Sequence, residues 1–362
     1  MIISIIIPTL NRVRLLRNTL LSVLNLDSSN IKFELLIVDN GSTDGTEQFA
    51  RSFIHDNNVS NFSYIREPTP GLLSCRHRGY EEANGNILAY LDDDVIVSQY
   101  WLQGIQQAFS DASVHLAGGP SLPYYEESPP GWLDYFWNRE PSLHSCPSLS
   151  LIWQGEKVKK CEPDLIWGLN FCIRKQTMKQ AGGFNPDCIP GHLQHFQGDG
   201  ESGLARKLKQ LGHTGLYHPR IMLHHVIPSE RMTHEYFNKR FYYEGIVCSY
   251  ADIRKEKGLP KERTSPVSKN NKKRFTRRFC QKILHPRSSV RWFLSEKGYI
   301  KKADINSTLT VEEKLKSKFH QSYLYGYNFH REMVNNFPGL LKWILKEDYF
   351  DYQLPELIGF SN

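Results

Sequence analysis

The chain has 362 residues, of which 40% are hydrophobic and 12% aromatic, and it carries a net charge of +7. This length predicts one large domain with an appendage, and the composition excludes a wholly disordered chain. Between Ala251 and Lys302 there are 17 lysines and arginines against four acidic residues. The positive charge therefore belongs to one segment, and the rest of the chain is mildly acidic.

The seven cysteines are widely scattered, and no two of them stand in a C-x-x-C pair. This spacing argues against a zinc ribbon or a redox pair. The odd count, and the lack of a basic leader before the short apolar run at residues 2–7, predict reduced thiols and a cytoplasmic location. No segment approaches about 18 uninterrupted apolar residues, so we expect no membrane span.

The first part of the chain alternates strand and helix signals. Buried strands are predicted at residues 2–7, 33–39, 61–66 and 87–91, with helices over residues 15–24, from residue 46, and over residues 76–84. This alternation is typical of a parallel α/β sheet, in which ligands bind beyond the carboxyl ends of the strands. Several polar residues follow strands and should converge on that edge: Thr9, Asn11, Asp39, Asn40, Asp92, Asp93 and Asp94.

The later sequence changes character twice. Proline and tryptophan interrupt residues 120–163, which predicts a long loop on the substrate side. Order returns at residues 165–174 and in a helix over residues 200–212. After Pro228 the pattern becomes helical, and helices are predicted over residues 310–336 and 340–349. We therefore expect a sheet domain over residues 1–230 and a mainly helical, basic extension over residues 231–362.

The three consecutive aspartates Asp92, Asp93 and Asp94 are the sharpest chemical feature. Adjacent carboxylates repel one another, so a triplet after a buried strand indicates a neutralising cation. Mg²⁺ and Mn²⁺ prefer oxygen ligands and bridge protein carboxylates to a diphosphate. A solvated acidic turn is the alternative, but the buried strand directly before the triplet favours a metal site.

Two further residues are weaker candidates when each is considered alone. Asp39 ends a buried strand and could accept hydrogen bonds from a base or a ribose, although the same sequence also suits a turn. Arg76 lies in a stretch rich in glycine, serine and arginine, where it could pair with a phosphate. An ordinary surface arginine is the competing interpretation.

Seven segments, taken together in order and spacing, resemble the family-two glycosyltransferases with the GT-A fold. They are IIIPTLNR (5–12), LLIVDNGSTD (35–44), PGLLSCRHRG (70–79), LDDDV (91–95), WGLN (167–170) with GGF (182–184), GDGESGLAR (198–206), and the Pro219, His225, Pro228 series. The resemblance covers about residues 1–245. It implies transfer of a sugar, with inversion, from a nucleoside-diphosphate sugar to an acceptor hydroxyl, as in synthesis of surface polysaccharides of bacterial type or of glycoconjugates.

The resemblance also implies roles for individual residues. Asp94 would bind Mg²⁺ or Mn²⁺, and His225 would lie near the metal and the diphosphate. A hydrogen-bonded structural histidine is the other interpretation of His225, since His224 is adjacent. The residues implied to hold the nucleotide-sugar, or to lie beside the sugar or acceptor, are Pro8, Thr9, Asn11, Asp39, Arg76, Asp92, Asp93, Gly168 and Asn170.

The catalytic base is less defined, because the family often has Glu-Asp where this chain has the sequence GDGE at residues 198–201. If Arg206 sets the register, Asp199 aligns with the acidic pair, and Glu201 is the second candidate. A positioned carboxylate is needed because a sugar hydroxyl is a poor nucleophile. A further departure is His77, where many relatives have asparagine.

Two other functions compete with this interpretation. A nucleotidyltransferase also has a parallel sheet and metal-binding carboxylates, but it usually carries a glycine-rich phosphate loop after its first strand. No such loop follows residues 2–7, and no G-x-G-x-x-G supports a dehydrogenase. A non-catalytic nucleotide-sugar-binding module is the second alternative, which the substitutions at His77 and Gly200 leave open.

The basic stretch at residues 269–293 interleaves aromatic and aliphatic residues with its charges. This pattern favours docking to an anionic membrane surface, which would suit a lipid-linked acceptor as well as a saccharide acceptor. A solvated helix face is the plainer alternative. No nucleic-acid-binding motif accompanies the charges, so we expect no nucleic-acid partner. The expected location is the cytoplasm, with peripheral association at the inner face of the membrane.

Overall fold

The computed structural model describes residues 1–259 and 310–351. Continuous runs of β-branched and aliphatic residues form the central strands, since these side chains pack well when a strand is buried on both faces. The strands are β1 (Ile2–Thr9), β2 (Lys32–Asp39), β3 (Phe62–Arg66), β4 (Ile87–Leu91), β5 (Val95–Val97), β6 (Leu116–Gly118), β7 (Ser121–Tyr125), β8 (Asn138–Glu140), β9 (Leu143–Cys146), β10 (Leu151–Trp153), β11 (Lys159–Cys161), β12 (Asn170–Arg174), β13 (Gly215–Tyr217) and β14 (Leu223–Ile227).

Several helices carry apolar residues at helical spacing and bury that face. The helices are α1 (Val13–Leu24), α2 (Thr46–Asp56), α3 (Leu72–Glu82), α4 (Trp101–Ser110), α5 (Lys175–Gln180), α6 (Gly200–Gln210), α7 (His234–Glu256), α8 (Val311–Asn336) and α9 (Pro338–Ile344). Short 3-10 turns lie between them, at Gly131–Phe136, Pro147–Leu149, Pro163–Leu165, Gly191–Phe196 and Ser229–Met232.

The main sheet of the described residues has eight strands in the order β11-β13-β6-β12-β4-β1-β2-β3. Strand β1 lies parallel to both β2 and β4, and β2 is parallel to β3. Strand β12 is antiparallel to β4 and β6. The carboxyl ends of β1, β2 and β4 therefore meet at one edge, as predicted from the polar residues that follow them.

A second sheet has the order β5-β14-β7-β10-β9-β8. The prediction of a long loop over residues 120–163 is wrong, because that stretch contains β7 to β11 and the 3-10 turns Gly131–Phe136 and Pro147–Leu149. Strands of three to five residues carry too few positions to show a period, and β7 is stabilised by its parallel pairing with β14, about a hundred residues later. Strand β5 also pairs with β14.

The described helices after residue 234 pack onto the sheet domain. Helices α7 and α8 approach so closely that a Cβ at Gly245 would lie 2.0 Å from the carbonyl oxygen of Tyr323, and one at Gly326 would lie 1.9 Å from that of Tyr242. Behind α3, the His77 ring donates from Nδ1 to the carbonyl of Tyr349 (3.1 Å). His77 therefore connects the sheet domain to the chain's last described segment.

No strand of the described residues follows Ile227, and the described elements beyond it are helices or turns. The domain boundary near residue 230 stays a prediction. None of the helices within residues 1–259 and 310–351 combines the length and apolarity needed to cross a membrane. The six described cysteines form no disulfide. The predicted membrane-docking stretch, residues 269–293, lies outside the described residues.

Candidate functional site

The three aspartates lie in the turn that carries the chain from the main sheet to the second sheet. Strand β4 ends at Leu91 and β5 begins at Val95. Asp93 and Asp94 are buried there, and Asp92 is partly exposed. Burial penalises the charged forms of these carboxylates, so the turn requires compensating cations.

Two arginines supply those cations. Arg12 NH1 lies 2.6 Å from Asp93 Oδ1 and 3.0 Å from Asp94 Oδ2. Arg231 NH2 lies 2.6 Å from Asp94 Oδ2. Thr9 Oγ1 donates to the second oxygen of Asp93 at 2.7 Å. The carboxylates are thus neutralised from two sides by side chains of the protein itself.

The pKa values of two of these aspartates shift in opposite directions. Burial raises the pKa of Asp93, and Arg12 offsets only part of that effect. For Asp94, burial also acts to raise the pKa, but its neighbours, the guanidinium groups of Arg231 and Arg12 among them, outweigh it and hold the value well below its usual range. Asp94 is therefore the residue of this pair that stays ionised and suits a cation.

The antiparallel register of β14 with β5 sets His225 opposite Val95, next to Asp94. The His225 Nδ1 atom lies 2.8 Å from the carbonyl oxygen of Leu149, and Nε2 lies 2.7 Å from Arg231 NH1. Nε2 is also 3.3 Å from Asp94 Oδ1. The structure thus brings together the two side chains predicted as metal ligands. We call this group, Asp93, Asp94, Arg12, His225 and Arg231, the aspartate corner.

The residues present fit a divalent ion in part. Asp94 Oδ1 is buried and has no hydrogen-bond partner, and a carboxylate oxygen with an imidazole nitrogen suits Mn²⁺ or Mg²⁺. Among the described residues no group of three or more His, Cys, Asp or Glu side chains is arranged to hold a metal. The protein thus offers two ligands, and further ones would have to come from a diphosphate or water.

The nucleotide edge lies beside β1 and β2. Asp39 is buried and accepts hydrogen bonds from the backbone and hydroxyl of Ser42 (2.8 and 2.6 Å) and from the Tyr64 hydroxyl (2.7 Å). Asn11 has a left-handed φ of 53°, and its Oδ1 accepts from the backbone of Thr43 at 2.7 Å. These contacts fix the loop after β2 against the loop after β1.

Pro8 forms part of β1, where it pairs in register with Val38 of β2. It therefore lies one residue before the predicted binding edge, beside the strand that ends in Asp39.

Arg76 lies in the first half of α3 and is almost completely buried. Its guanidinium stacks over the ring of Phe184 at 4.8 Å. Its ion pairs are long, at 3.7 Å to Asp92 and 3.6 Å to Glu201. Nε and NH1 of Arg76 have no hydrogen-bond partner, which is costly for a buried guanidinium and indicates a place for an anionic ligand.

Gly168 makes room for that guanidinium. A Cβ at this position would lie 2.6 Å from Arg76 NH2 and 3.1 Å from the Glu201 carboxyl carbon. A larger residue here would push against both charged side chains, and Gly168 lies next to the site without contributing a side chain.

Asn170 begins β12, two residues after Gly168, and its side chain is bound within the protein. Its Oδ1 accepts from Trp101 Nε1 at 3.0 Å, and its Nδ2 donates to the carbonyl of Ile221 at 2.7 Å. The side chain is buried and both ends are bound within the protein. In this structure Asn170 joins α4 to the segment before β14.

The two candidate bases have unequal surroundings. Asp199 precedes α6, is buried, accepts from Asn185 Nδ2 at 2.7 Å and forms an ion pair with Arg206. Glu201 lies in the first turn of α6, with 30% of its side chain exposed, and faces Arg76. Both carboxylate oxygens of Asp199 are thus occupied, whereas the Glu201 carboxylate is partly exposed.

Asp187 lies beside Glu201, and burial, followed by the charge of Glu201, raises its pKa. Its Oδ1 accepts from Gln197 Nε2 at 2.9 Å. Gly200 has a φ of +48°, and a Cβ there would lie 2.5 Å from Asp187 Oδ2. We call the group Arg76, Asp92, Asp187 and Glu201 the Arg76 corner.

A family model described as "Glycosyl transferase family 2" matches residues 4–162, which include the first strand, the nucleotide edge and the aspartate triplet. Residues 4–162 belong to glycosyltransferase family 2.

The chain is 36% identical over 196 residues to the glycosyltransferase AglE of Haloferax volcanii, a match covering 54% of this chain and 59% of that protein. It is 25% identical over 116 residues to the GalNAc(5)-diNAcBac-PP-undecaprenol beta-1,3-glucosyltransferase of Campylobacter jejuni, covering 32% of this chain and 37% of that protein. The chain thus spans between about a third and three fifths of these curated relatives.

Among solved structures, the mannosyltransferase PcManGT from Pyrobaculum calidifontis, in complex with GDP-Man and Mn²⁺, superposes with a TM-score of 0.56 at 14% identity. The likeness covers 97% of this chain and 88% of that one. It concerns the fold, and it confirms the predicted GT-A fold with helices after the sheet domain.

Sequence reasoning missed three charged residues of the site. Arg12 lies at the end of the IIIPTLNR motif (5–12), but nothing in the sequence indicates its role. Arg231 follows His225 by six positions, a spacing that has no meaning until the 3-10 turn Ser229–Met232 is known. Asp187 lies in an irregular segment without a motif. Only the charge excess of the aspartate triplet pointed towards such partners.

Proposed function

We propose that this family-two protein transfers a sugar from a nucleoside-diphosphate sugar to an acceptor hydroxyl. One observation carries the proposal: Arg76, a buried guanidinium with unpaired N–H groups, lies between Asp92 of the aspartate triplet and Glu201 of α6. Diphosphates are bound by such donors, and the two flanking carboxylates would lie on the metal side and on the base side of a diphosphate held by Arg76.

On the metal side, Asp94 and His225 would hold Mg²⁺ or Mn²⁺. Such an ion, when bound, stabilises the charge that develops on the leaving diphosphate. Arg76 would donate to the same diphosphate. The loop joined by Asp39, Asn11 and Thr43 would hold the nucleoside, together with the backbone around Pro8 and Thr9 and the carboxylates of Asp92 and Asp93. The side chain of Asn170 has no part in this proposal.

On the base side, we assign the base to Glu201. Its carboxylate is accessible and lies within the Arg76 corner, whereas Asp199 is held by Asn185 and Arg206. Glu201 would accept the proton of the acceptor hydroxyl as that oxygen attacks the anomeric carbon. A base opposite the leaving group gives in-line attack, and hence inversion of the anomeric configuration.

The acceptor is proposed to be a saccharide or a lipid-linked saccharide, in synthesis of surface polysaccharide or glycoconjugate. The Campylobacter jejuni relative is named for a saccharide linked to PP-undecaprenol, which supports this class. Docking of residues 269–293 to an anionic membrane, and a cytoplasmic location at its inner face, belong to the same proposal.

The test is a screen of the purified full chain against nucleoside-diphosphate sugars, with Mn²⁺, Mg²⁺ or chelator, scored by released diphosphate and by transfer to saccharide acceptors. We expect one donor class to be turned over and the chelator to slow its turnover. Binding of nucleoside diphosphate without hydrolysis or transfer would indicate a non-catalytic module. Neither binding nor turnover of any donor would refute the proposal.

A further inference from the structure

Arg231 lies where the proposed divalent ion would bind. Its guanidinium bridges the two candidate ligands, with NH2 2.6 Å from Asp94 Oδ2 and NH1 2.7 Å from His225 Nε2. The side chain is 17% exposed, and the guanidinium faces the ring of Tyr236 at 6.0 Å. A protein cation therefore occupies the position next to both ligands.

The protonation of His225 follows from its two partners. The carbonyl oxygen of Leu149 only accepts, so Nδ1 carries the proton of that 2.8 Å hydrogen bond. The guanidinium of Arg231 only donates, so Nε2 offers its lone pair to NH1. This is the same lone pair that a metal ion would use. Arg231 and a metal ion cannot both bind it.

Arg231 satisfies the corner only in part. Asp94 Oδ1 has no hydrogen-bond partner and faces His225 Nε2 at 3.3 Å, although neither atom carries a hydrogen. Metal–ligand bonds of about 2.1 Å would allow one ion to contact both atoms. Asp94 Oδ1 is therefore an acceptor that the guanidinium of Arg231 does not contact but that a metal ion would contact.

His225 and Arg231 also differ in how firmly the backbone around them is held. His225 lies within β14, which pairs with strands on both sides. Arg231 lies in the 3-10 turn Ser229–Met232, beyond the end of the strand and after Pro228. Its long side chain can leave the corner by rotation, while His225 and Asp94 keep their places. Arg12 would remain on Asp93.

We propose that Arg231 occupies the metal position in the free protein and is displaced when the divalent ion binds. A nucleoside diphosphate gives the displaced guanidinium a new anionic partner, so the ion and the nucleotide bind cooperatively. The inference rests on the proposed function, because it takes Asp94 and His225 as the ligands. It adds a control on the order of binding: the ion must displace Arg231 in either case, but only the diphosphate gives the displaced guanidinium a new anionic partner.

Mn²⁺ affinity of the full chain without nucleotide tests the competition, by titration calorimetry and by the electron paramagnetic resonance signal of free Mn²⁺. Arg231→Met should bind Mn²⁺ at least about tenfold more tightly than the wild type, and Arg231→Lys, which keeps the charge, should fall between them. The control is Arg14→Met, since Arg14 is 62% exposed and pairs with Glu126 away from the corner. Unchanged or weaker Mn²⁺ binding by Arg231→Met would overturn the inference.

A second comparison checks the site. Asp94→Asn should remove the affinity gained in Arg231→Met, and a gain that survives Asp94→Asn would mean that the ion binds elsewhere. Thermal melts followed by circular dichroism establish that each variant is folded.

Cooperativity is tested by repeating the Mn²⁺ titrations with UDP and with GDP. The nucleotide should tighten Mn²⁺ binding more in the wild type than in Arg231→Met, by about tenfold, and equal tightening contradicts the coupling. Sugar transfer is measured separately. If transfer is normal but Arg231→Met does not change the Mn²⁺ affinity, this inference is wrong and the proposed function stands. If transfer is absent but the Mn²⁺ affinity changes as expected, the proposed function is wrong and this inference stands.

Discussion

The aspartate corner and the Arg76 corner meet at the aspartate triplet, and both combine carboxylates with arginine. They differ in how completely the charges are paired. In the aspartate corner, Arg12 and Arg231 contact Asp93 and Asp94 at 2.6 to 3.0 Å. In the Arg76 corner, the nearest carboxylate oxygens are 3.6 and 3.7 Å from the guanidinium.

The difference shows how one protein prepares two kinds of binding. A buried charge without close partners is costly, so the loose pairing of Arg76 keeps a donor available for an anion. Burial lowers the pKa of Arg76, but Glu201 and Asp92 more than compensate, so the group stays charged. The tight pairing of Asp94 keeps an anion covered until another cation arrives. Arg76 can therefore bind an anionic ligand directly, whereas Asp94 must lose Arg231 before it can bind a metal ion.

The largest expected effect comes from removing the base of the Arg76 corner. Glu201→Gln should lower transfer by roughly 10²-fold or more, because the acceptor proton then has no carboxylate to receive it, while donor affinity stays nearly unchanged. Transfer rate and nucleotide affinity are measured on the same preparation. Glu81→Gln, an exposed change on α3, is the control. Near-normal transfer by Glu201→Gln would place the base elsewhere.

The next effect concerns the loosely paired arginine itself. Arg76→Lys keeps the charge but loses the planar set of donors, so nucleoside-diphosphate affinity should fall by about 10- to 100-fold, the cost of one or two charged hydrogen bonds. The matched control is Arg78→Lys on the same helix, where Arg78 pairs with Glu82 at 2.7 Å in an exposed position. Calorimetry with Mn²⁺ present measures both. Equal affinities for the two variants would remove Arg76 from the binding site.

A smaller effect separates the two carboxylates at the start of α6. Asp199→Asn should lower the free energy of unfolding by about 1–3 kcal/mol, because Asn185 and Arg206 lose their charged acceptor. Transfer by the folded fraction should stay within a few-fold of wild type. Urea denaturation and transfer assays measure the two quantities. A loss of transfer as large as that of Glu201→Gln, at unchanged stability, would make Asp199 the base instead.

The smallest expected effect concerns Lys207, a residue of α6, and the pH dependence of the free energy of unfolding. Lys207 is buried and donates to the carbonyls of Gly182 (3.3 Å), Gly183 (2.7 Å) and Glu347 (3.4 Å). Burial, followed by the charge of Arg254, lowers its pKa to about 7. Between pH 7 and the ordinary lysine value the unfolded chain binds a proton that the folded chain lacks, so this group makes unfolding less favourable as the pH rises.

The free energy of unfolding of the wild type should therefore rise by about 1 kcal/mol relative to Lys207→Met between pH 7.5 and 8.5. Denaturant titrations of both proteins at the two pH values measure this difference. If the two proteins show the same change with pH, Lys207 is charged in the fold.

Much of the fold followed from local patterns. The strands β1, β2 and β4 are continuous apolar runs, and this pattern alone predicts that they are buried on both faces. Residues 120–163 were predicted as a loop because β7, β9 and β10 are too short for a period and depend on pairing with each other and with β14. Such non-local pairing leaves no local signal.

The sequence by itself indicated the family over residues 4–162, the edge at which the polar residues meet, and the candidate metal ligands, because seven motifs occur in order along a strand-and-helix alternation. Only the tertiary structure decided how each side chain is used. Asp199 and Glu201 look equivalent in the sequence, yet contacts with Asn185 and Arg206 occupy one of them and leave the other accessible. Arg231 reaches Asp94 across 137 positions, because the pairing of β14 with β5 closes that distance to a hydrogen bond.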